Sequence, residues 1–495
     1  MQSTKQQKTA NHDKAMPKIS ISPLFDGGSI PTGVEEFILL YSDLHELLAL
    51  SITNKASSKL VLNSAKKILT RYFSQRRASL LNVIPTSFSY TPLRIVSQLL
   101  STSLFNSAPA LLGHTLEVRA VSHSPDGNYF VTGSLDNTCC VWRQDNEGLW
   151  QSTRLEGHTC ILQIISHSPD GSYFVTGSAD DTCRVWTQDN DGQWQSTPLE
   201  GHTRRVSELS FSPDGSYFVT GSADSTCRVW RRDGEGQWQS TVLEGHTDNI
   251  SAISHSPDGR YFVTGSWDNT CRVWTQDNEG QWQSVVLEGH THFISAFSHS
   301  PDGSYFVTGS WDHTCRVWTK NADGQWQSTQ LEGHTSRIKA ISFSPDCRYF
   351  VTGSFDNTCR VWTKDNDGQW QSTQLEGHTN DITVISHSPD GRYFVTGSWD
   401  STCRVWTIDN EGQWQSLRLG GHTDAVKAIS HSPDGSYFVT ASIDGTCRVR
   451  SRNPFNIWES ASVSVDENAI ASASSAGQSS AVAGHKISAS MKQLS

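Results

Sequence analysis

From residue 113 onward, short apolar runs alternate with clusters of Gly, Pro, Asp, Asn and Ser. Four runs recur in a fixed order, "VRAVSHS", "SYFVTGS", "TCRVW" and "QWQSTPLE", separated by "PDG", "xDxT" and "DNEGQ". Each run has strand length, and each separator has the chemistry of a tight turn. The order predicts a four-stranded antiparallel meander, which cannot bury its faces alone and must stack on its neighbours. The dipeptide Gly-His opens each unit, at Gly113, Gly157, Gly201, Gly245, Gly289, Gly333, Gly377 and Gly421. Every step is 44 residues, with no insertion. A period of that size decides the architecture before any single residue does.

Gly-His at the start, "SPDG" in the first turn, Asp in "GSxD" and a closing "VW" make the chain resemble a WD-repeat β-propeller. The resemblance implies a mainly β fold, an eight-bladed propeller over residues 105–464. Two segments compete to close the ring. "FNSAPALL" (105–112) aligns with the outer strand but carries Pro109, which an edge strand tolerates. "NIWESASV" (456–463) keeps Trp458 in register with Trp414. In that family the Gly-His histidine, a second-strand hydroxyl, the turn Asp and the third-strand Trp form a buried tetrad. In the fourth unit the resemblance implies His246, Ser266 (or Thr264), Asp268 and Trp274. The eighth unit has Arg450 where the Trp belongs, so its tetrad is expected to be incomplete.

A His, a Ser and an Asp in every unit would suit a hydrolase triad, but eight near-identical sets cannot all be active sites. The second His, in "SHSPDG", gives way to Phe211 and Phe343 in two units, which marks a packing position rather than a metal ligand. "DNDG" (189–192) is too short for a calcium loop and reads as a turn. No phosphate-binding Gly-rich loop or nonrepeating catalytic set is present. The expectation is a non-enzyme with no cofactor and no metal.

Charge sharpens this. The 495 residues carry a net charge of −11. Residues 1–112 hold 12 Lys and Arg against 6 Asp and Glu, and the rest holds 27 against 44. An acidic body argues against nucleic acid as partner. No apolar run approaches the ~18–20 residues of a membrane span, and the first twenty residues lack the apolar stretch of a secretory signal. Of the 11 Cys, one recurs at the repeat step from Cys139 to Cys447, as a small packing residue does. A cytoplasmic setting follows; a secreted bacterial effector working in a host cytoplasm would read the same.

Against this repetition a few letters drift. Of the 18 Trp, all but Trp267, Trp311 and Trp399 close a third strand or open an outer one. Those three stand before the repeated Asp, where the units read Leu135, Ala179, Ala223, Trp267, Trp311, Phe355, Trp399 and Ile443. The pair after Gly-His-Thr also varies. Alternate turns of a meander share an edge, so both variable sites fall on one face of the disc. That face is the expected partner-binding surface: Trp267, Trp311, Phe355 and Trp399, with Arg204, Arg205, His292, Phe293, Arg337 and Lys339. Trp and Arg dominate protein-interface hot spots.

In front, apolar residues at Phe37, Ile38, Tyr41, Leu44, Leu47 and Leu48 follow helical spacing. Residues 30–77 resemble an F-box, the helical module that docks on the Skp-type adaptor of cullin ubiquitin ligases. Ile30 and Pro31 stand for its opening, and Ile38, Leu39, Leu44, Leu47 and Leu50 fall at docking positions. Residues 1–29 are expected to be disordered, 78–104 a spacer, and 465–495 a disordered Ser/Ala-rich tail. An F-box followed by a propeller is the layout of ubiquitin-ligase substrate receptors, with Skp-type adaptor, cullin and an unidentified target protein as partners. The alternative is a WD-repeat scaffold with no ligase role.

Overall fold

The computed structural model describes residues 111–146, 148–452 and 458–460. The F-box-like segment, the spacer and both expected disordered segments lie outside the described residues. Thirty-two strands, β1 to β32 in chain order, make eight four-stranded antiparallel sheets of consecutive strands. The first sheet is β1 (Val118–His123), β2 (Tyr129–Ser134), β3 (Cys139–Gln144) and β4 (Trp150–Leu155). The inner strands are β1, β5 (Leu162–His167), β9 (Val206–Phe211), β13 (Ile250–His255), β17 (Ile294–His299), β21 (Ile338–Phe343), β25 (Ile382–His387) and β29 (Val426–His431). Each lies against the next, and β29 returns to β1, closing eight blades round a central channel.

The core lies between blades. The "YFVTGS" strand is buried along its whole length, because a neighbour covers each face of its sheet. Val131, Val141 and Leu155 of the first blade meet Leu162, Phe174 and Trp186 of the second. The glycine of this strand fixes how close blades come. A Cβ on Gly221 would stand 2.5 Å from Ile250 Cγ2 of the next blade.

We call the edge bearing the SPDG and D-N-E-G turns the lower face, and the opposite edge the upper face. Near the lower face the repeated His of each inner strand crosses to the preceding blade. Ser122 bonds His167 Nδ1 at 2.9 Å, Ser210 bonds His255 at 2.8 Å, and Ser254, Ser342 and Ser386 repeat this with His299, His387 and His431. Ser430 and His123 make the same bond at 2.7 Å across the ring closure. The packing position is therefore also an inter-blade tie. Phe211 and Phe343 instead meet Tyr173 and Tyr305 edge-on. Burial pushes the imidazoles down, to about 3 for His123, His255 and His387 and about 4 for His167, His299 and His431.

Ring closure uses both candidate segments. In the first seven blades a Leu of the outer strand pairs with the repeated Cys, as Leu155 does with Cys139. In the eighth blade β32 (Trp458–Ser460) pairs with the far end of β31 (Cys447–Arg452) through Ser460 opposite Arg450. The Leu position opposite Cys447 is filled by Leu111, from the other end of the ring, with Leu111 N donating to Cys447 O at 2.8 Å. The last outer strand is split between two distant stretches of chain.

Candidate interaction face

Each blade ties its two upper loops together through a hydrogen-bonded relay. In the fourth, His246 Nδ1 meets Asp268 Oδ2 at 2.7 Å and its Nε2 meets Thr264 Oγ1 at 2.8 Å. The same hydroxyl accepts from Trp274 Nε1 at 2.9 Å. Thr264, not Ser266, is thus the tetrad hydroxyl. Ser266 donates to Asp248 O and accepts from Asp268 N, both at 3.0 Å, and so holds the turn. Burial opposes ionisation of Asp268, yet bonds from His246, Thr270 and Thr247 N hold its carboxyl well below the usual range. Charge-assisted bonds of this kind are the strong ones. In the eighth blade His422, Thr440 and Asp444 keep the pattern. Arg450 is fully buried in the place of the Trp, donates to Gly420 O, and is held by burial down to about 10.

With the loops locked, the drifting letters come together. The residue before the Asp donates its N–H to the carbonyl of the second residue after Gly-His-Thr: Trp267 to Asn249, Trp311 to Phe293, Phe355 to Arg337 and Trp399 to Asp381, all at 2.9–3.0 Å. Two variable sites in sequence form one patch per blade. Side chains then reach across blades. Trp267 stacks on Phe293 at 4.9 Å and 11°, Phe293 meets Trp311 at 5.4 Å, and His292 lies 5.7 Å from Trp311. The Arg337 guanidinium sits 3.8 Å over the Trp311 ring. Blades four to six thus share one continuous ladder of rings capped by a cation. Trp267 and Trp311 are half-buried by these neighbours and Phe355 is half-buried too, while Trp399 is 44 % exposed, with Lys427 Nζ 4.3 Å over its ring. Arg204 and Arg205 are exposed on the third blade, outside the ladder. Ile30, Pro31, Ile38, Leu39, Leu44, Leu47 and Leu50 lie outside the described residues.

Lys427 was missed in the sequence, and so was the feature that aims it. Every inner strand carries a bulge at its second residue: Arg119, Gln163, Ser207, Ser251, Ser295, Lys339, Thr383 and Lys427. A bulge leaves its residue out of the ladder and re-aims the side chain, here at the upper end of each inner strand. Four hydroxyls use this freedom to tie neighbouring blades. Ser207 donates to Ile250 O at 3.1 Å and Thr383 to Val426 O at 2.6 Å, with Ser251 and Ser295 bonding Ile294 O and Ile338 O alike. Arg119 is held by Glu117 at 3.1 Å and Gln163 at 3.2 Å. Glu208 is next to the bulge in the third blade, and burial pushes its carboxyl up to about 8 against the pull of Lys339. A repeating bulge leaves no mark in the hydrophobic pattern, which is why Lys427 and Glu208 looked like ordinary strand positions.

A closed ring of eight four-stranded blades, seven pinned by a His–Asp–Thr–Trp relay and the eighth by its His, Asp and Thr, defines a repeat-built propeller whose upper rim is free to vary. The WD domain, G-beta repeat family matches residues 106–143, 150–187, 192–231, 237–275, 281–319, 325–363, 369–407 and 414–451, and the chain belongs to that family. No curated protein matches the chain in sequence. Among solved structures, Sqt1 from Chaetomium thermophilum superposes with a TM-score of 0.61 at 18 % identity, over 70 % of this chain and 100 % of that one. The same organism's Sqt1 bound to the N-terminus of the ribosomal protein L10 gives 0.60 at 19 %, over 70 % and 99 %. At such identity the likeness is one of fold.

Proposed function

We propose that this chain is a non-enzymatic scaffold that holds a partner protein on the upper face of its propeller in the cytoplasm. The observation that carries the reading is the ladder Trp267–Phe293–Trp311–Arg337, in which the letters that differ between otherwise near-identical units meet across three blades. Rings already stacked and capped lose little freedom on binding, the property of interface anchors. Membership of the WD-repeat family supports a protein-binding role, and the likeness to Sqt1, solved with a segment of another protein, is consistent with it. The ubiquitin-ligase receptor reading depends on residues 30–77 alone, and the propeller needs no ligase to act as a scaffold.

Affinity capture with the full chain and with Trp311→Ala/Trp399→Ala tests this. Partners held by the parent chain are expected to be lost from the double variant. Retention of every partner would overturn the proposal. Capture of a Skp-type adaptor and cullin, lost when residues 30–77 are removed, would restore the ligase reading.

A further inference from the structure

We infer that the upper mouth of the channel takes an acidic segment of the partner, its carboxylates on Lys339 and Lys427 and its apolar side chains on the neighbouring Trp311 and Trp399. The inference rests on the upper face being the binding surface, and it names the chemistry of what binds there.

Three observations converge. The first is the ring of bulge residues. Wherever it carries a hydroxyl, that hydroxyl ties two blades, and Arg119 is matched to Glu117 and Gln163. Lys339 and Lys427 occupy the same register, yet no ion pair among the described residues involves either. Neither ammonium is matched by a carboxylate within ion-pair distance, although Lys427 lies over the Trp399 ring and Lys339 acts on Glu208. The second is where Lys427 sits. It is half-buried over Trp399, and burial lowers its ammonium pKa, with Glu117 opposing and Arg119 and Lys339 reinforcing the shift. A partly desolvated cation beside an apolar ring gains more from an incoming carboxylate than an exposed one does. Glu208 supplies little of that charge, because burial pushes its carboxyl up to about 8, and Glu117 and Asp424 act on Lys427 without forming an ion pair with it.

The third is the polarity of the disc. Every SPDG turn on the lower face presents an Asp, from Asp126 to Asp434, and its hydroxyl and amide neighbours hold it ionised. A chain with a strongly acidic body still keeps Arg204, Arg205, Arg337, Lys339 and Lys427 on its upper side. The lower turns thus repel an acidic segment, and on the upper side, which Glu117, Asp248 and Asp424 share, the attraction is local to Arg337, Lys339 and Lys427.

The test uses the full chain and fluorescein-labelled peptides of equal length: one of Glu and Leu, one with Gln for every Glu, and one with Lys for every Glu. Fluorescence anisotropy is expected to show the Glu peptide binding at least tenfold more tightly than the Gln peptide, with affinity falling as salt rises. Lys339→Gln/Lys427→Gln is expected to remove that preference and Lys339→Arg/Lys427→Arg to keep it. The lower-face pair Arg260→Gln/Arg392→Gln is expected to change nothing. Equal binding of the Glu and Gln peptides, no binding of the Glu peptide at millimolar concentration, tighter binding of the Lys peptide, or displacement by a single-stranded RNA of equal charge would each overturn the inference. Should the Glu peptide fail while Trp311→Ala/Trp399→Ala still loses its captured partners, the upper face remains the binding surface and only its preference for acid falls.

Discussion

The two faces of the disc are made from the same number of turns and meet the same solvent, yet one repeats its letters and the other does not. The lower turns have internal duties. Ser124 bonds both Asp126 and Tyr129 O, Gly127 takes a φ of 73°, and a Cβ on it would stand 3.5 Å from Pro433 of the preceding blade. The second lower turn is held the same way, with Asp145 accepting from Leu149 N at 2.9 Å. Nearly every letter there is spoken for. On the upper face the Asp is spoken for by the tetrad, and the residue after it by a left-handed backbone, which Asn137, Asp181, Ser225, Asn269, His313, Asn357 and Ser401 adopt at φ of 65–72°. Only the residue before the Asp and the pair after Gly-His-Thr are free. Drift there needs no selection to explain it. What points to use is the chemistry that filled the free positions: rings and cations that fit one another across blade boundaries.

Acid should strike the lower half of the ring hardest. The six inner-strand histidines are neutral when folded and take up protons only at about 3 to 4, against 6.5 in the unfolded chain. Between those values the unfolded state binds more protons, so stability falls as pH falls below about 6.5. At pH 5 each histidine is worth on the order of 1–2 kcal/mol. Below about 4 the tetrad carboxylates, whose folded pKa values are depressed, begin to add to the loss. Thermal unfolding followed from pH 7.5 to 4 is expected to show a steadily falling midpoint. His255→Phe, which copies what the third and sixth blades already carry, should shallow that slope. A midpoint unchanged between pH 7 and 4.5 would remove the belt from any role in stability.

A smaller loss is expected on breaking a single tetrad. Asp268→Ala leaves His246, Thr270 and Thr247 N without their acceptor and should cost about 3 kcal/mol in urea unfolding. The smallest effect belongs to the free positions. Trp311→Ala should lower stability by only about 1 kcal/mol while weakening partner binding by about 2 kcal/mol, near 30-fold. A Trp311→Ala chain as unstable as Asp268→Ala would make the ladder part of the scaffold and erase the contrast between faces.

How far the sequence reached follows from the same contrast. Blades, strand order and the His, Asp and Trp of the relay were legible because each depends on period and turn chemistry that repeat eight times. The hydroxyl was not, since Thr264 and Ser266 point the same way from one strand and only their distance from His246 separates them. The partnership of the free sites was half visible: alternate turns put them on one face, but nothing in the letters says that Arg337 lies over Trp311 of the preceding blade. Lys427 and Glu208 stayed hidden behind the bulge, a backbone feature that leaves composition and periodicity untouched.

The split outer strand of the eighth blade sets an order in time. Leu111 and Cys447 are 336 positions apart, so their pairing is a contact of very long sequence separation, the kind that forms late and slowly. On a ribosome each earlier blade finds its four strands within one stretch of some forty residues, whereas the last must wait for β31 and then reach back to Leu111. Until that moment the first and eighth blades present open apolar sheet faces, Phe130 and Trp142 on one and Val439 and Val449 on the other. The nascent ring is most exposed to mispairing and aggregation in the interval before its last blade is made.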